Sequence, residues 1–231
     1  MNAHWHYGSS LIDDYDSAVS YCDDEIGRLL QTLDKRSDKD KTAIILFSDH
    51  GELFGEHGFT HHGNTVFQPD VRSVLLVRVP GLAQVKTVTV PVSLVDIEPT
   101  TLMLAGAMPD RRTHAWNLLP FLTEGDRAGN PKRPIFLYAD ITDGVVQHEA
   151  RGVLLGRYKL VRDLSTGSME MFDVVADPDE KTDVSARHPA ERTELAGVLE
   201  GWERETSMHR NVTIYGEPVH AQARAPMRAG Y

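Results

Sequence analysis

The sequence of 231 residues predicts an α/β fold followed by a small antiparallel β-sheet. An amphipathic helix, a short apolar run, a glycine-rich loop and a second apolar run follow one another, which is the order of an α/β layer. Beyond Asn130-Pro131 the pattern changes to short strand-like segments separated by glycines. We therefore expect an α/β domain at 1–130, an antiparallel subdomain at 131–207 and a loosely ordered tail at 208–231.

The first predicted element is an amphipathic helix from Leu11 to Leu33. Its apolar residues recur at intervals of three and four and include Cys22, so we expect a core thiol there. The opposite face carries a run of acidic residues, which is more typical of a solvated surface than of a site. A single cysteine also excludes an internal disulfide framework and a zinc site built on several thiolates.

Two short apolar runs, Thr42 to Phe47 and Val74 to Val79, are predicted to be strands. Uninterrupted apolar runs of this length fit strands that are covered on both faces, as in a parallel sheet. A further helix is expected from Leu94 to Ala105, with Ser93 or Asp96 as its cap and a glycine as its stop.

The second half of the chain is predicted to form a four-stranded antiparallel sheet, with strands near 135–139, 145–155, 158–162 and 169–174. A helix from Pro189 to Trp202 closes this subdomain. We expect Lys159 and Arg162 to be exposed charges rather than anion contacts. Near a turn, Asp173 and Asp177 are expected to form the turn rather than to bind a ligand.

The charge balance limits the classes of partner. The chain carries 24 Lys and Arg against 34 Asp and Glu, a formal charge of −10, which argues against binding nucleic acid or an anionic membrane by bulk electrostatics. No apolar run is long enough for a transmembrane helix, and the first ten residues lack the pattern of an export signal. The sequence does not determine the cellular compartment.

The stretch FSDHGELFGEHGFTHHG, from Phe47 to Gly63, is the best candidate for chemistry. Asp49 and His50 lie at the carboxyl end of the first predicted strand, where α/β proteins bind ligands. Because neighbouring strand residues point to opposite faces, the two side chains can share an ion only if the backbone turns, which Gly51 makes easy. The alternative is a simple turn that Asp49 caps.

Three further histidines lie on the glycine-rich loop: His57, His61 and His62. Each one alone is more typical of an ordinary surface histidine. As a group they could fold back over the strand end and join the aspartate and imidazole there. Carboxylate and neutral imidazole are both good ligands for a divalent ion, although two ligands alone would hold one weakly.

This region resembles the metal-binding strand and loop of the sulfatases, within the alkaline phosphatase superfamily. The resemblance lies in the run TAIILFSDHGELFGEHGFTHHGNTVFQPDVRSVLLVRVPG. It extends to YDSAVSYCDDEIGRLLQTLDKR before this run and to VSLVDIEPTTLMLAGAMPDRRTHAWNLLPFL after it. GRYKLVRDLSTGSMEMFDVVADPDEKTDV is similar to the C-terminal antiparallel subdomain of the family. The implied fold is part of the alkaline-phosphatase-like parallel or mixed sheet, flanked by helices, and the small C-terminal sheet with its helix.

The resemblance also implies roles for four residues. Asp49 and His50 would be ligands of the catalytic divalent cation, most readily Ca²⁺, with Mg²⁺, Mn²⁺ and Zn²⁺ as alternatives. His62 stands where arylsulfatases usually have a lysine that contacts the anionic group of the substrate, so it would be a pH-dependent cation. His57 matches a loop histidine with a structural or substrate-facing role.

One expected feature of a sulfatase is missing. The nucleophile of this family is formylglycine, made from Cys or Ser in a Cys/Ser-x-Pro-x-Arg motif, and the sequence contains no such motif. Two further metal-ligating aspartates would come from a strand that precedes the Leu11 helix. We therefore expect this chain to correspond to the C-terminal portion of a sulfatase, with the missing N-terminal half as a partner and little activity alone.

Three functions stay open at this stage. The first is a hydrolase of small-molecule or glycan sulfate esters. The second is a hydrolase of phosphate or phosphonate esters in the same superfamily, since His50 and His62 replace the more usual asparagine and lysine. The third is a non-catalytic binding module that keeps the fold without the chemistry.

Overall fold

The computed structural model describes residues 7–82, 87–109, 114–130, 132–142 and 147–210. By its internal contacts the chain divides into two compact units, residues 1–131 and 132–231. The helices of the first unit are α1 (Leu11–Asp34), α2 (Gln68–Val71), α3 (Ile97–Leu104) and α4 (Leu119–Glu124). Its strands are β1 (Ile44–Phe47), β2 (Leu53–Phe54), β3 (Thr60–His61) and β4 (Leu75–Arg78).

Helix α1 confirms the predicted amphipathic helix. Ser10 caps its start, because its hydroxyl accepts from the Asp13 backbone N–H at 3.1 Å while the Asp13 carboxylate accepts from the Ser10 backbone N–H. The apolar stripe, however, stays largely open to solvent: Leu29 is 59% exposed and no residue of α1 is buried. Cys22 is exposed, so the predicted core thiol is wrong, because the described residues leave that face of the helix uncovered.

The two apolar runs are strands, as predicted, and they pair with each other. Strands β1 and β4 are antiparallel, with Ile44 opposite Arg78 and Phe47 opposite Leu75. The prediction that both faces are covered is wrong within the described residues, since Phe47 and Leu76 are about half exposed or more. The chain has the α/β architecture expected for the first unit, and an antiparallel pair is compatible with a mixed sheet.

A buried aspartate, Asp96, fixes the start of α3 by hydrogen bonds to the backbone. Asp96 is fully buried, and its carboxylate accepts from the backbone N–H groups of Ser93 at 2.9 Å and Trp116 at 2.7 Å. A 3₁₀ turn over Leu94–Asp96, with Ser93 as its N-cap, precedes the α-helix, whose own N-cap is Asp96, so the predicted helix and both candidate caps are found. Gly106 at φ 74° follows the helix as its stop.

The second unit contains the predicted antiparallel sheet. Its strands are β5 (Ile135–Thr142), β6 (Gln147–Leu155), β7 (Tyr158–Asp163) and β8 (Met169–Asp173), paired in chain order. Helix α5 (Pro189–Arg210) is longer than predicted and continues into the expected tail, whose residues 211–231 lie outside the described part of the chain. The sheet and α5 share one core of Val153, Leu160, Met171, Val184, Leu195 and Leu199.

Two charged residues of β7 are not exposed, since Lys159 is buried and Arg162 is partly buried, so that prediction is wrong. Lys159 is fully buried, and its Nζ lies 2.7 Å from Oε1 of the equally buried Glu180. Arg162 pairs with Glu203 of α5 at 2.8 Å. Each cation pairs with a carboxylate from a distant segment that packs against the strand. The periodicity of the strand sequence carries no information about that segment.

The predicted turn-forming aspartates do form turns. Asp173 accepts from the backbone N–H groups of Val175 and Ala176, and Asp177 accepts from that of Thr182. Asp173 also binds the guanidinium of Arg157 through both carboxylate oxygens. It therefore joins the β7 and β8 ends as well as shaping the loop.

None of the helices in the described part of the chain combines the length and the apolar character that crossing a bilayer requires.

Candidate metal and anion site

Asp49 and His50 follow β1 after one residue, Ser48, and their side chains converge. Oδ1 of Asp49 lies 3.6 Å from Nε2 of His50. Nδ1 of His50 lies 2.7 Å from the Gly51 carbonyl oxygen, which can only accept, so Nδ1 carries the proton and donates it. This tautomer leaves the Nε2 lone pair free to bind an ion beside the carboxylate.

Gly51 lets the backbone after this pair pass close to α2. A Cβ atom at this position would lie 2.0 Å from the carbonyl oxygen of Pro69. The backbone N–H of Gly51 donates to the Asp70 carbonyl oxygen at 2.7 Å. The backbone between His50 and Glu52 is therefore pressed against the α2 segment, which only glycine allows.

A short hairpin brings Glu52 next to His62. Leu53 pairs with His61 and Phe54 pairs with Thr60, so the residues just outside this ladder become neighbours. Leu53 is fully buried and anchors the hairpin. As a result, Nδ1 of His62 lies 2.9 Å from Oε2 of Glu52.

Asp70 holds the loop that follows His62. Its side chain is almost fully buried, and its two carboxylate oxygens accept from the backbone N–H groups of Gly63 at 2.7 Å and Thr65 at 2.9 Å. Hydrogen bonds from backbone N–H groups to a carboxylate are stronger than neutral ones. The residue thus holds the strand end and the histidine loop together, since its own carbonyl also receives Gly51.

His50, Glu52 and His62 form one cluster. The two imidazole rings stack with centroids 3.9 Å apart and planes inclined by 22°. One ligand atom from each of the three residues lies within 4.8 Å of the other two. The Glu52 side chain is only 15% exposed, whereas the His62 side chain is half exposed. The cluster is therefore open to solvent on its histidine side.

The other two loop histidines lie at the margin of this cluster. Nδ1 of His61 is 3.9 Å from Oε1 of Glu52, and the ring is mostly exposed. His57 has a left-handed backbone (φ 53°), and its ring stacks on Phe67 at 3.8 Å with planes only 7° apart. Of the predicted site residues, the structure thus groups Asp49, His50 and His62, while His57 packs on an aromatic ring.

Sequence reasoning missed two residues of this site, Glu52 and Asp70. Glu52 becomes a neighbour of His62 only through a hairpin whose strands are two residues long, too short to leave a periodic pattern. In the sequence, Asp70 resembles a helix-capping aspartate. In the structure, its carboxylate instead binds backbone N–H groups of Gly63 and Thr65, in the loop that precedes it. A signal for Glu52 did exist, since it is an acid within two residues of His50 on a glycine-rich loop.

The donor set fits a divalent cation. Two ligands that bind one ion at about 2.0 to 2.6 Å lie roughly 3 to 4 Å apart, and the Asp49 and His50 donor atoms are 3.6 Å apart. A carboxylate oxygen with an imidazole nitrogen is a suitable pair for such an ion. Two ligands are too few for tight binding, so the remaining ligands must come from other residues.

Comparison with known proteins identifies two matching families. Residues 2–107 match the Sulfatase family, and residues 55–200, more than half of the chain, match the C-terminal family of N-sulphoglucosamine sulphohydrolase. Choline-sulfatase of Rhizobium meliloti is 30% identical over 186 residues, which cover 78% of this chain and 35% of the relative. The chain spans about a third of the length of the curated relatives it matches.

Solved structures give the same result. The structure of BT4656 in complex with its substrate D-glucosamine-2-N,6-O-disulfate aligns with a TM-score of 0.72 at 26% identity, covering 89% of this chain and 41% of that one. A phosphonate monoester hydrolase from Silicibacter pomeroyi aligns with a TM-score of 0.66 at 22% identity, covering 87% and 40%, which shows a shared fold alone. The strand, loop and C-terminal sheet described above therefore belong to a member of the sulfatase family, within the alkaline phosphatase superfamily.

Proposed function

We propose that this chain forms the metal-binding, C-terminal portion of a hydrolase that cleaves sulfate esters. The observation that carries the proposal is the 3.6 Å separation of Asp49 Oδ1 and His50 Nε2, with Nδ1 of His50 already occupied by a carbonyl. Both donors are thus prepared for a cation at the end of a strand in a sulfatase fold. Of the metals that such donors accept, we propose Ca²⁺, with Mg²⁺, Mn²⁺ and Zn²⁺ as alternatives.

A bound divalent cation would supply positive charge that stabilises the negative charge on the ester oxygens. The chain's own residues then have separate tasks. Asp49 and His50 hold the ion, and the Gly51 carbonyl fixes the tautomer of His50. His62 would orient the anionic group of the ester, because an imidazolium ion donates from both ring nitrogens.

Glu52 sets the position of His62 in this scheme. Its carboxylate accepts from Nδ1 of His62, so Nε2 lies on the far side of the ring and is available to the substrate. The carboxylate itself is mostly buried and is held at the hairpin base. We assign His57 a structural role, because its ring is stacked on Phe67.

The nucleophile is not supplied by these 231 residues, since they contain no Cys/Ser-x-Pro-x-Arg motif. We propose that it comes, as formylglycine, from an N-terminal half of the enzyme that packs on the first unit. The exposed apolar side chains of that unit support this, among them Tyr15, Val19, Leu29, Phe47 and Leu76. Apolar surface of this extent is more typical of an interface than of a free surface.

For the substrate class we propose a sugar sulfate or another small sulfate ester. Two similar proteins support it by name, choline-sulfatase and the protein whose substrate is a glucosamine disulfate. The test is the hydrolysis of 4-nitrophenyl sulfate and of sulfated monosaccharides by the product of the complete open reading frame that contains this chain. If the protein releases sulfate and Asp49→Asn abolishes this release, the proposal is supported. If no sulfate is released from any of these esters, the proposal is contradicted.

A phosphate or phosphonate ester is the second candidate. The observation that favours it is His62, a histidine instead of the lysine usual in arylsulfatases. The same protein assayed with 4-nitrophenyl phosphate and phenylphosphonate esters would separate the two classes by relative rate. If neither class is cleaved and no divalent ion binds, a non-catalytic module is the better description.

A further inference from the structure

We propose that His50, Glu52 and His62 form a second cation site, which prefers Zn²⁺ and similar transition metals to Ca²⁺. It differs from the Asp49–His50 pair in its ligands: two imidazoles and one carboxylate instead of one of each. Imidazole-rich sites suit Zn²⁺, Cu²⁺ and Ni²⁺, whereas oxygen-rich sites suit Ca²⁺ and Mg²⁺. The inference does not depend on the proposed hydrolase activity, because it concerns binding alone.

One ligand–ligand distance in the cluster is close to that of a zinc site. Ligands around tetrahedral zinc at about 2.0 to 2.2 Å lie roughly 3.3 Å apart. Nδ1 of His62 and Oε2 of Glu52 are 2.9 Å apart, and all three ligand atoms lie within 4.8 Å of one another. The two imidazoles are stacked in nearly parallel planes, so the half-exposed ring of His62 must turn out of the stack for all three ligands to meet one ion, with water as the fourth ligand.

The surroundings of each ligand favour this arrangement. Glu52 is mostly buried at the base of the hairpin, so its carboxylate is fixed before the ion arrives. The half-exposed ring of His62 can turn, and solvent reaches the site from this side. The proton that now lies between His62 and Glu52 would be released to solvent when the metal takes its place.

The two cation sites share His50, so one imidazole would have to serve both ions. The ring of His50 stacks on that of His62 with centroids 3.9 Å apart, and its Nε2 lies 3.6 Å from Oδ1 of Asp49. An imidazole that ligates zinc in the cluster cannot at the same time complete the Asp49 pair. Zinc-class metals should therefore bind in competition with the hard cation.

The experiment measures Zn²⁺ affinity of the untagged chain by competition with a chromophoric chelator. The parent carries His4→Gln and His6→Gln, which remove two histidines that lie outside the described residues. We expect Glu52→Gln and His62→Gln each to weaken Zn²⁺ binding at least tenfold. The control His188→Gln should change it less than twofold, and Asp49→Asn should weaken it less than His62→Gln does.

Two results would overturn the inference. One is Zn²⁺ affinity within twofold of the parent in both His62→Gln and Glu52→Gln. The other is a loss in Asp49→Asn as large as in His62→Gln, which would put the zinc in the Asp49–His50 pair. Far-UV circular dichroism checks folding, and the exposed His62→Gln carries the test if Glu52→Gln unfolds. Ester hydrolysis with Ca²⁺ is a separate assay, so failure of the zinc site leaves the proposed function standing.

Discussion

Oδ1 of Asp49 and Nε2 of His50 lie 3.6 Å apart at the end of β1, although the two residues are neighbours in sequence. In an extended strand their side chains would point to opposite faces. They converge because the backbone bends at Asp49, and the N–H of Gly51, which donates to the carbonyl of Asp70, holds the segment after the bend. The same bend places Glu52 at the base of the hairpin that presents His62.

The first prediction concerns the space at Gly51. Gly51→Ala should destabilise the chain by about 1–3 kcal/mol, because the added methyl group meets the Pro69 carbonyl oxygen and must push the two segments apart. It should also weaken binding of divalent ions. Urea denaturation and metal titration measure both effects.

The matched control is Gly27→Ala, a helical glycine with open space around its missing Cβ. This change should stabilise the chain slightly, by about 0.5–1 kcal/mol, because alanine is the better helix former. Equal stabilities of the two variants would contradict the account of Gly51.

The second prediction concerns the buried carboxylate of Asp70. Asp70→Ala should cost about 2–4 kcal/mol, because it leaves the N–H groups of Gly63 and Thr65 without their charged acceptor. Amide hydrogen exchange at Gly63 and Thr65 should accelerate much more than exchange in the sheet of the second unit. Uniform acceleration across the chain would argue that Asp70 has no local role in the histidine loop.

The third prediction concerns the buried ion pair of the second unit. Lys159→Met should destabilise the chain by about 3–5 kcal/mol, because Glu180 is left charged and buried without its cation. Lys159→Met combined with Glu180→Leu should recover much of this loss. A double variant as unstable as the sum of both single variants, measured by urea denaturation, would count against the pairing.

The fourth prediction concerns acid stability. The hydrogen bonds from Arg157 lower the pKa of Asp173 below its ordinary value; burial opposes this effect, and the backbone N–H groups of Ala176 and Val175 add to it. A carboxyl group with a lowered folded pKa stabilises the fold above its unfolded pKa of about 3.9, and this contribution disappears as the pH falls through the folded pKa.

Arg157→Gln should therefore raise the pKa of Asp173 towards 3.9, about the unfolded value, and reduce stability at neutral pH. Carboxyl titration by NMR, together with thermal melts between about pH 2 and pH 7, measures both. The control is Lys181→Gln, whose partner Asp179 is well exposed. An unchanged titration of Asp173 in Arg157→Gln would refute the assigned cause.

The elements that could be predicted from sequence are those with a local signal. Helix α1 shows its period over many turns and begins at a capping serine, and the glycine-separated strands of the second unit are clear from their apolar runs. The metal pair was also accessible, because Asp49 and His50 are adjacent at a strand end. Their roles as ligands remain a prediction.

The features that could not be predicted depend on distant parts of the chain. The exposure of Cys22 depends on what covers α1, and the burial of Lys159 depends on Glu180, which lies 21 positions further along the chain. Glu52 and His62 meet only because a two-residue ladder folds the loop back. Periodicity reports which face of an element is apolar, but not which segment packs against it.

The most direct test of the central claim is the metal content and sulfate-ester hydrolysis of the product of the complete open reading frame, compared with its Asp49→Asn variant. The account predicts bound divalent cation in the parent, loss of that cation in Asp49→Asn, and a fall in hydrolysis of at least about 100-fold. Asp40→Asn, a change at an exposed 3₁₀ turn, should leave both unchanged. Full metal content and undiminished hydrolysis in Asp49→Asn would contradict the account.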